Sequence, residues 1–273
     1  MNLLEQAQSL APELTAIRRD LHQHPELSFQ EVRTAGIAAT EMEALGLSVR
    51  TGVGRTGVIA ELLNGEGPVI ALRADMDALP IKEANTHDFV SQNAGIMHAC
   101  GHDGHVAGLI GAARILAKER DSGRLPSGTV RFLFQPSEET TDDEGRSGAM
   151  RMVEEGVMEG VDAVVGLHLG GPLPCGKIFF AAGPIMSGAE ELRIEVHGKS
   201  THAGMPEAGV DALVLAARGV VAAQDAAPEN HSPVEDGILS FGRITGGTAN
   251  NVLADLVTIE GTMRFFSEEV RER

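Results

Sequence analysis

The stretch MHACGHDGH, residues 97–105, packs three histidines, a cysteine and an aspartate between glycines. Thiolate and imidazole together suit zinc or a similar borderline divalent ion. Cys100 and His102 are two positions apart, a spacing at which helical side chains do not face each other. They can share one centre only in a turn, which Gly101 permits. A helix follows, and a position near its N-terminus favours the thiolate form of Cys100. The plain alternative is a buried cysteine beside helix-start histidines. Further on, FQPSEE sets Glu138 and Glu139 at the end of an apolar strand, which is costly unless a cation lies nearby. Adjacent residues of an extended chain point in opposite directions. One carboxylate can then bind metal while the other stays free as a base. The competing reading is a solvated acidic loop running on into TTDDEG. His168 closes the apolar run VVGLHLGG, where a lone histidine also fits as a satisfied core residue.

Elements that alternate along the chain must hold these groups. LEQAQSLAPELTAIRRDLHQH is spaced as a helix that stops at His24-Pro25, because the residue before proline is driven out of helical geometry. EVRTAGIAATEMEALG is a second helix, closed by Gly46. TGVIAELL and PVIALRAD are short β-branched strands, and the second is apolar enough for burial on both faces. After the dense stretch come a helix (VAGLIGAARILAKER), a strand (TVRFLFQP), a helix (SGAMRMVEEG) and a strand (VDAVVGLHLG). The alternation predicts an α/β fold, a mainly parallel sheet with helices on both faces. Ligand sites in such sheets lie beyond the carboxyl ends of the strands. Asp75 and Asp77 end one strand, Glu138 and Glu139 another and His168 a third, so the donors converge on one rim.

Beyond Pro184 the pattern changes. AEELRIEVHG alternates Leu192, Ile194 and Val196 with Arg193, Glu195 and His197, as a half-exposed antiparallel strand does. A helix (VDALVLAARGVVAAQ) and two strands (ILSFGRIT, DLVTIEGTMRFF) follow. The expected division is a domain of residues 1–183 and a smaller α+β unit of residues 184–273.

Bulk composition narrows the function classes. With 42% hydrophobic and 22% charged residues, the chain is globular rather than disordered. Its 39 acidic against 22 basic residues give a formal charge of −17, which opposes nucleic-acid binding. Anionic small substrates are also repelled unless a metal ion reverses the local field. Two cysteines, no basic leader and no membrane-length apolar run point to a cytoplasmic protein away from membranes.

In order, RRDLHQHPELSFQE, ALRADMDALPI, MHACGHDGH, VRFLFQPSEE, GLHLG and HGKSTHAGMP closely resemble the M20 metallopeptidases. The nearest branch is the amidohydrolases acting on N-acyl amino acids, hippurate and auxin conjugates. The resemblance covers essentially the whole chain. It implies a zinc-exopeptidase-like catalytic domain with a lid that dimerises. It also implies two divalent metal ions, manganese or zinc first and nickel or cobalt next, held by Cys100, His102, Glu139 and His168. Glu138 matches the general base. His202 matches an oxyanion donor that enters the partner subunit's site, and Asn250 and Arg264 match lid residues that hold the substrate carboxylate. Asp75 and Asp77 are supporting groups near the metals. Asp103 and His105 either orient their neighbours or are ordinary helix-start residues. His22, His24 and His87 are read as structural, and His98 as a group behind the ligands.

The implied function is metal-dependent hydrolysis of the amide of an N-acyl amino acid or related conjugate. Full members of the family return to the catalytic sheet after the lid and bring one more ligand histidine. Here the chain ends at FFSEEVRER and the last histidine is His231. A C-terminally truncated member is therefore expected, with incomplete domains, weak or single-site metal binding and apolar surface exposed where the closing segment would pack. The alternatives are an impaired remnant that only binds ligand or dimerises, and a cysteine-nucleophile hydrolase using Cys100 and His102.

Overall fold

A computed structural model describes residues 2–226 and 237–272, so His231 lies outside the described residues. The chain divides into two compact units, Met1–Leu173 and Pro174–Arg273. No helix among the described residues is long and apolar enough to cross a membrane.

The first unit carries helices α1 (Leu3–Gln23), α2 (Val32–Ala44), α3 (His102–Asp121) and α4 (Gly148–Glu154). Its strands are β1 (Ser48–Val53), β2 (Gly57–Asn64), β3 (Val69–Asp75), β4 (Gly128–Gln135) and β5 (Ala163–Gly166), in sheet order β1-β2-β4-β3-β5. Alternation along the strands splits the core in two. Val58, Ala60, Leu62, Ala74, Phe132 and Phe134 face α1, α2 and α3. Ile59, Ala71 and Leu133 face the other way, onto Met152 of α4 and Val157. Helices thus cover both faces, as an α/β fold requires.

The sheet is mixed where a mainly parallel one was expected. β4-β3 and β3-β5 are parallel, but β1-β2 and β2-β4 are antiparallel. β1 was not foreseen at all. Its sequence SVRTGV buries only Val53 and half-buries Val49, so it has little periodic apolar signal, and a tight turn at residues 54–56 returns it onto β2 as a hairpin. A connection that short admits only antiparallel pairing. The parallel part still does what the site needs. Asp75 pairs with Gln135, and Arg73 pairs with Gly166, so the ends of β3, β4 and β5 share one rim.

The second unit is a three-stranded antiparallel sheet of β6 (Gly188–His197), β7 (Ile238–Gly246) and β8 (Leu256–Phe265), in order β6-β8-β7. Helix α5 (Ala212–Ala226) lays Ala212 and Ala216 against Val257 and Ile259, and a short helix α6 (Glu268–Glu272) follows β8.

Candidate metal centre at the rim of the parallel strands

His102 is the node of the site. It opens α3, is fully buried, and shares separate donor groupings with Cys100 and His168, with Glu138 and Glu139, and with Asp75 and His105. Gly101 precedes it at φ +87°, a left-handed conformation that a side chain would strain. That turn lets Cys100 and His102 reach one centre. The helix therefore begins four residues earlier than its apolar run suggested, and takes in His102, Asp103 and His105.

Hydrogen bonds set the orientation of the imidazoles. His102 Nδ1 lies 3.2 Å from Asp77 Oδ1 and donates to it, which leaves Nε2 bare. Asp77 is itself fixed, because its Oδ2 accepts from the Ser28 hydroxyl at 2.7 Å and from the Glu139 amide at 3.0 Å. His102 Nε2 faces Asp75 Oδ2 at 3.6 Å and Glu139 Oε1 at 3.9 Å. Both His102 Nε2 and Glu139 Oε1 are buried without a hydrogen-bond partner. Two orphaned donor atoms facing each other at that distance fit a shared cation, since buried polar atoms are otherwise paired. At the open side, His168 Nδ1 donates to the Leu169 carbonyl at 2.8 Å, which turns Nε2 toward Cys100 Sγ, 3.3 Å away.

Charge follows the same plan. Burial alone would raise Asp75, but the bond from His105 and the charges of His102 and Arg73 hold it at about 2. Burial would lower His102, and the Asp77 bond with the Asp75 charge raises it instead. Glu138 is raised, first by desolvation and then by Glu139 and Asp75. Cys100 overturns the expectation of a favoured thiolate. Desolvation and then the charge of Glu139 push its thiol up to about 12. The helix start is a weaker influence than three neighbouring carboxylates, so ionisation of this thiol needs a compensating cation. A free-thiolate nucleophile is disfavoured by the same balance.

The loop that carries the two glutamates is held from below. Ser137 sits at φ +41°, a costly conformation for a residue with a side chain, and it is fully buried. Its amide donates to Glu31 Oε1 at 2.7 Å, its hydroxyl to the Thr140 carbonyl at 2.8 Å, and its carbonyl accepts from Gly148 at 2.9 Å. A Cβ on Gly148 would meet the Pro136 oxygen at 1.8 Å, so only glycine fits there. Glu31, Ser28 and Arg73 were not read as site residues. Arg73 had a visible signal, because positions i and i+2 of a strand share a face; it bridges Asp75 at 2.6 Å and Gln135 at 2.8 Å. Glu31 and Ser28 had none beyond their place in HPELSFQE.

Cys100, His102, Glu138, Glu139, His168, Asp75 and Asp77 all gather at this rim. Asp103 points away from it, toward α1, where it accepts from His22 at 2.8 Å and pairs with Arg18 at 2.7 Å. His105 takes the orienting place instead, bonded to Asp75 at 2.5 Å and accepting the Leu169 amide at 2.8 Å. In the second unit, His202 bridges to Val252 and accepts the Gly204 amide at 3.0 Å. Asn250 lines a cavity of about 410 Å³ with Ala203 and Asp211. Arg264 lies near the far end of β8, roughly 27 Å from Leu256 at the usual rise per residue. Within the second unit, then, His202 and Asn250 are neighbours and Arg264 is not with them.

The model of Peptidase family M20/M25/M40 matches residues 71–248, a span holding every donor at the rim. The chain belongs to that family. Its similarity to curated M20 relatives is extensive: it is 41% identical over 97% of its length to N-acetyl-L-cysteine deacetylase of Bacillus subtilis, and spans 62% of that protein. It is 44% identical over 95% of its length to N-acyl-L-amino acid amidohydrolase of Geobacillus stearothermophilus, spanning 68% of it. Among solved structures, a putative aminohydrolase from methicillin-resistant Staphylococcus aureus superposes with TM-score 0.90 at 37% identity, over 100% of this chain and 72% of the other. A Bacillus subtilis protein described as a dinuclear metal-binding M20 peptidase gives TM-score 0.78 at 38% identity, over 97% of this chain and 67% of the other.

Proposed function

We propose that this M20 chain is part of a metal-dependent amidohydrolase that cleaves the amide of N-acyl amino acids or related conjugates. The observation that carries the reading is the pair of buried, unpartnered atoms His102 Nε2 and Glu139 Oε1 beside Cys100 and His168. Cys100, His102, Glu139 and His168 would hold two divalent ions, with Asp77 orienting His102 from behind and Asp75, tied to His105, facing the bare Nε2 of His102. Thiolate, imidazole and carboxylate accept manganese, zinc, nickel or cobalt. Bound ions of this kind acidify coordinated water and polarise a carbonyl.

The chain's own residues supply the rest. Glu138 stands at the exposed edge of the cluster, free of the bonds that tie down Asp77, and desolvation with the charges of Glu139 and Asp75 raises its pKa, the direction that strengthens a proton acceptor. It takes the proton of the attacking water and returns it to the departing nitrogen. His202 donates to the developing oxyanion, reaching the site of a partner subunit in a homodimer built through the second unit. Asn250 and Arg264 hold the substrate carboxylate. The deacetylase and the amidohydrolase among the relatives support a small N-acyl amino acid as substrate.

The test is hydrolysis of a panel of N-acyl amino acids before and after chelation, with manganese or zinc restored afterwards. The reading requires activity that is lost on chelation and returns with metal. Activity that survives complete metal removal contradicts it.

A further inference from the structure

A second cluster of donors lies on the other side of Asp103, apart from the rim. Glu83 Oε1 is 3.2 Å from His22 Nε2 and 3.3 Å from His87 Nε2. All three atoms fall within one ion-sized grouping. Charge-assisted N–H···O bonds contract to about 2.7–2.9 Å, and both of these contacts are longer. They equal the edge of a tetrahedron whose bonds are about 2.0 Å, the length of zinc–nitrogen and zinc–carboxylate bonds.

The surroundings have the form of a metal site's supports. His22 Nδ1 donates to Asp103, which Arg18 pins, so the other ring nitrogen is aimed at Glu83. Carboxylate behind histidine is the usual arrangement for a ligand imidazole. Glu83 is fixed independently, through the Ser91 amide at 2.6 Å and the Asn85 side chain at 2.9 Å. His87 is held by its ring stacked on Phe89, 3.7 Å between centroids. An independent sign comes from His98. It is 4% exposed, both its ring nitrogens lack partners, and it lines a cavity of about 370 Å³ together with His22 and His87. Its ring centroid stands 6.3 Å from that of His22, and the cavity, which also reaches Cys100 of the rim, has room for a water to complete four donors.

We propose that His22, Glu83 and His87 form an additional cation site for a borderline divalent ion such as zinc, with His98 on its cavity side. The site does not depend on the amidohydrolase reading, since it shares no ligand with the rim. An ion there ties α1 to the long connection between β3 and α3, which carries Cys100. His87 is about one-third exposed and gives the ion its route in from solvent.

Zinc alone is the probe. In the 273-residue chain carrying Cys100→Ala and His168→Ala, which removes rim donors, metal content after gel filtration and the zinc-induced shift in Tm are measured, with and without His87→Gln. The expected result is about one tightly held zinc per chain and a rise in Tm, both lost with His87→Gln while the circular dichroism is unchanged. Should the rim variant fold poorly, the same His87→Gln change in the otherwise unaltered chain is expected to lower bound zinc by about one equivalent. Zinc content and Tm shift unaffected by His87→Gln would overturn the proposal and leave His22 as a plain bridge between two carboxylates. Loss of hydrolysis on chelation reports on the rim and is read separately.

Discussion

Asp75, Asp77 and His102 lie on the closed floor of the rim, each at most 1% exposed, whereas Cys100, Glu138 and His168 stand at its partly open edge. The floor is tied together by protein bonds alone: His105 and Arg73 on Asp75, Ser28 and the Glu139 amide on Asp77, and Asp77 on His102. The edge has few such ties. Cys100 and His168 face each other, His168 donates to a backbone carbonyl, and its ring rests against that of His105 at 4.8 Å between centroids. Folding therefore sets one half of the site in advance, and the other half is completed by what binds. Preorganisation of this sort places the cost of ordering in the fold rather than in each binding event.

Removing Glu138 from the edge should hit chemistry, and loosening the floor should hit affinity. The largest effect is expected from Glu138→Gln, which keeps shape but cannot accept a proton. It should lower kcat by roughly 10²–10⁴-fold with metal content unchanged; unaltered kcat would remove Glu138 from its role. Asp77→Asn is expected to weaken metal affinity by about 10–100-fold, measured by competition with a chelator, because His102 loses the carboxylate that fixes its orientation. An equal loss of kcat at saturating metal would mean that floor and edge are not distinct.

The smallest effect concerns the floor without metal. Asp75 is held at about 2 against an ordinary 3.8, so its folded form is depressed. Its contribution is fully present above the ordinary value and is lost as pH falls from there through about 2. On linkage grounds this amounts to about 2 kcal/mol. Tm of the chelated chain should fall across that window, and Asp75→Asn should flatten the fall. A profile that Asp75→Asn leaves unchanged would mean that Asp75 is not tied as described.

The residues of edge and floor were both visible in the sequence, but the bonds that tie the floor were not. Cys100, Glu138, Glu139 and His168 stand where apolar strands end or a glycine breaks the chain, and a polar group in such a place is conspicuous. The floor depends on pairings between distant segments. Ser28 reaching Asp77, Glu31 reaching Ser137 and His105 reaching Asp75 leave no trace in spacing. Asp103 and His105 look alike in sequence, two residues apart at one helix start, yet the turn of α3 sends one to α1 and the other to the rim. The β1-β2 hairpin was missed for a related reason: with only Val49 and Val53 packed inward, this edge strand has too little apolar alternation to announce it. The strain at Ser137 is likewise invisible until the loop is seen closing over Gly148.

The most direct measurement is anomalous diffraction at the zinc edge from crystals of this chain grown with zinc. The account predicts a peak about 2.3 Å from Cys100 Sγ and about 2.0–2.2 Å from His102 Nε2, Glu139 or His168 Nε2. A fully zinc-exposed crystal with no anomalous density within bonding reach of these four residues would contradict it.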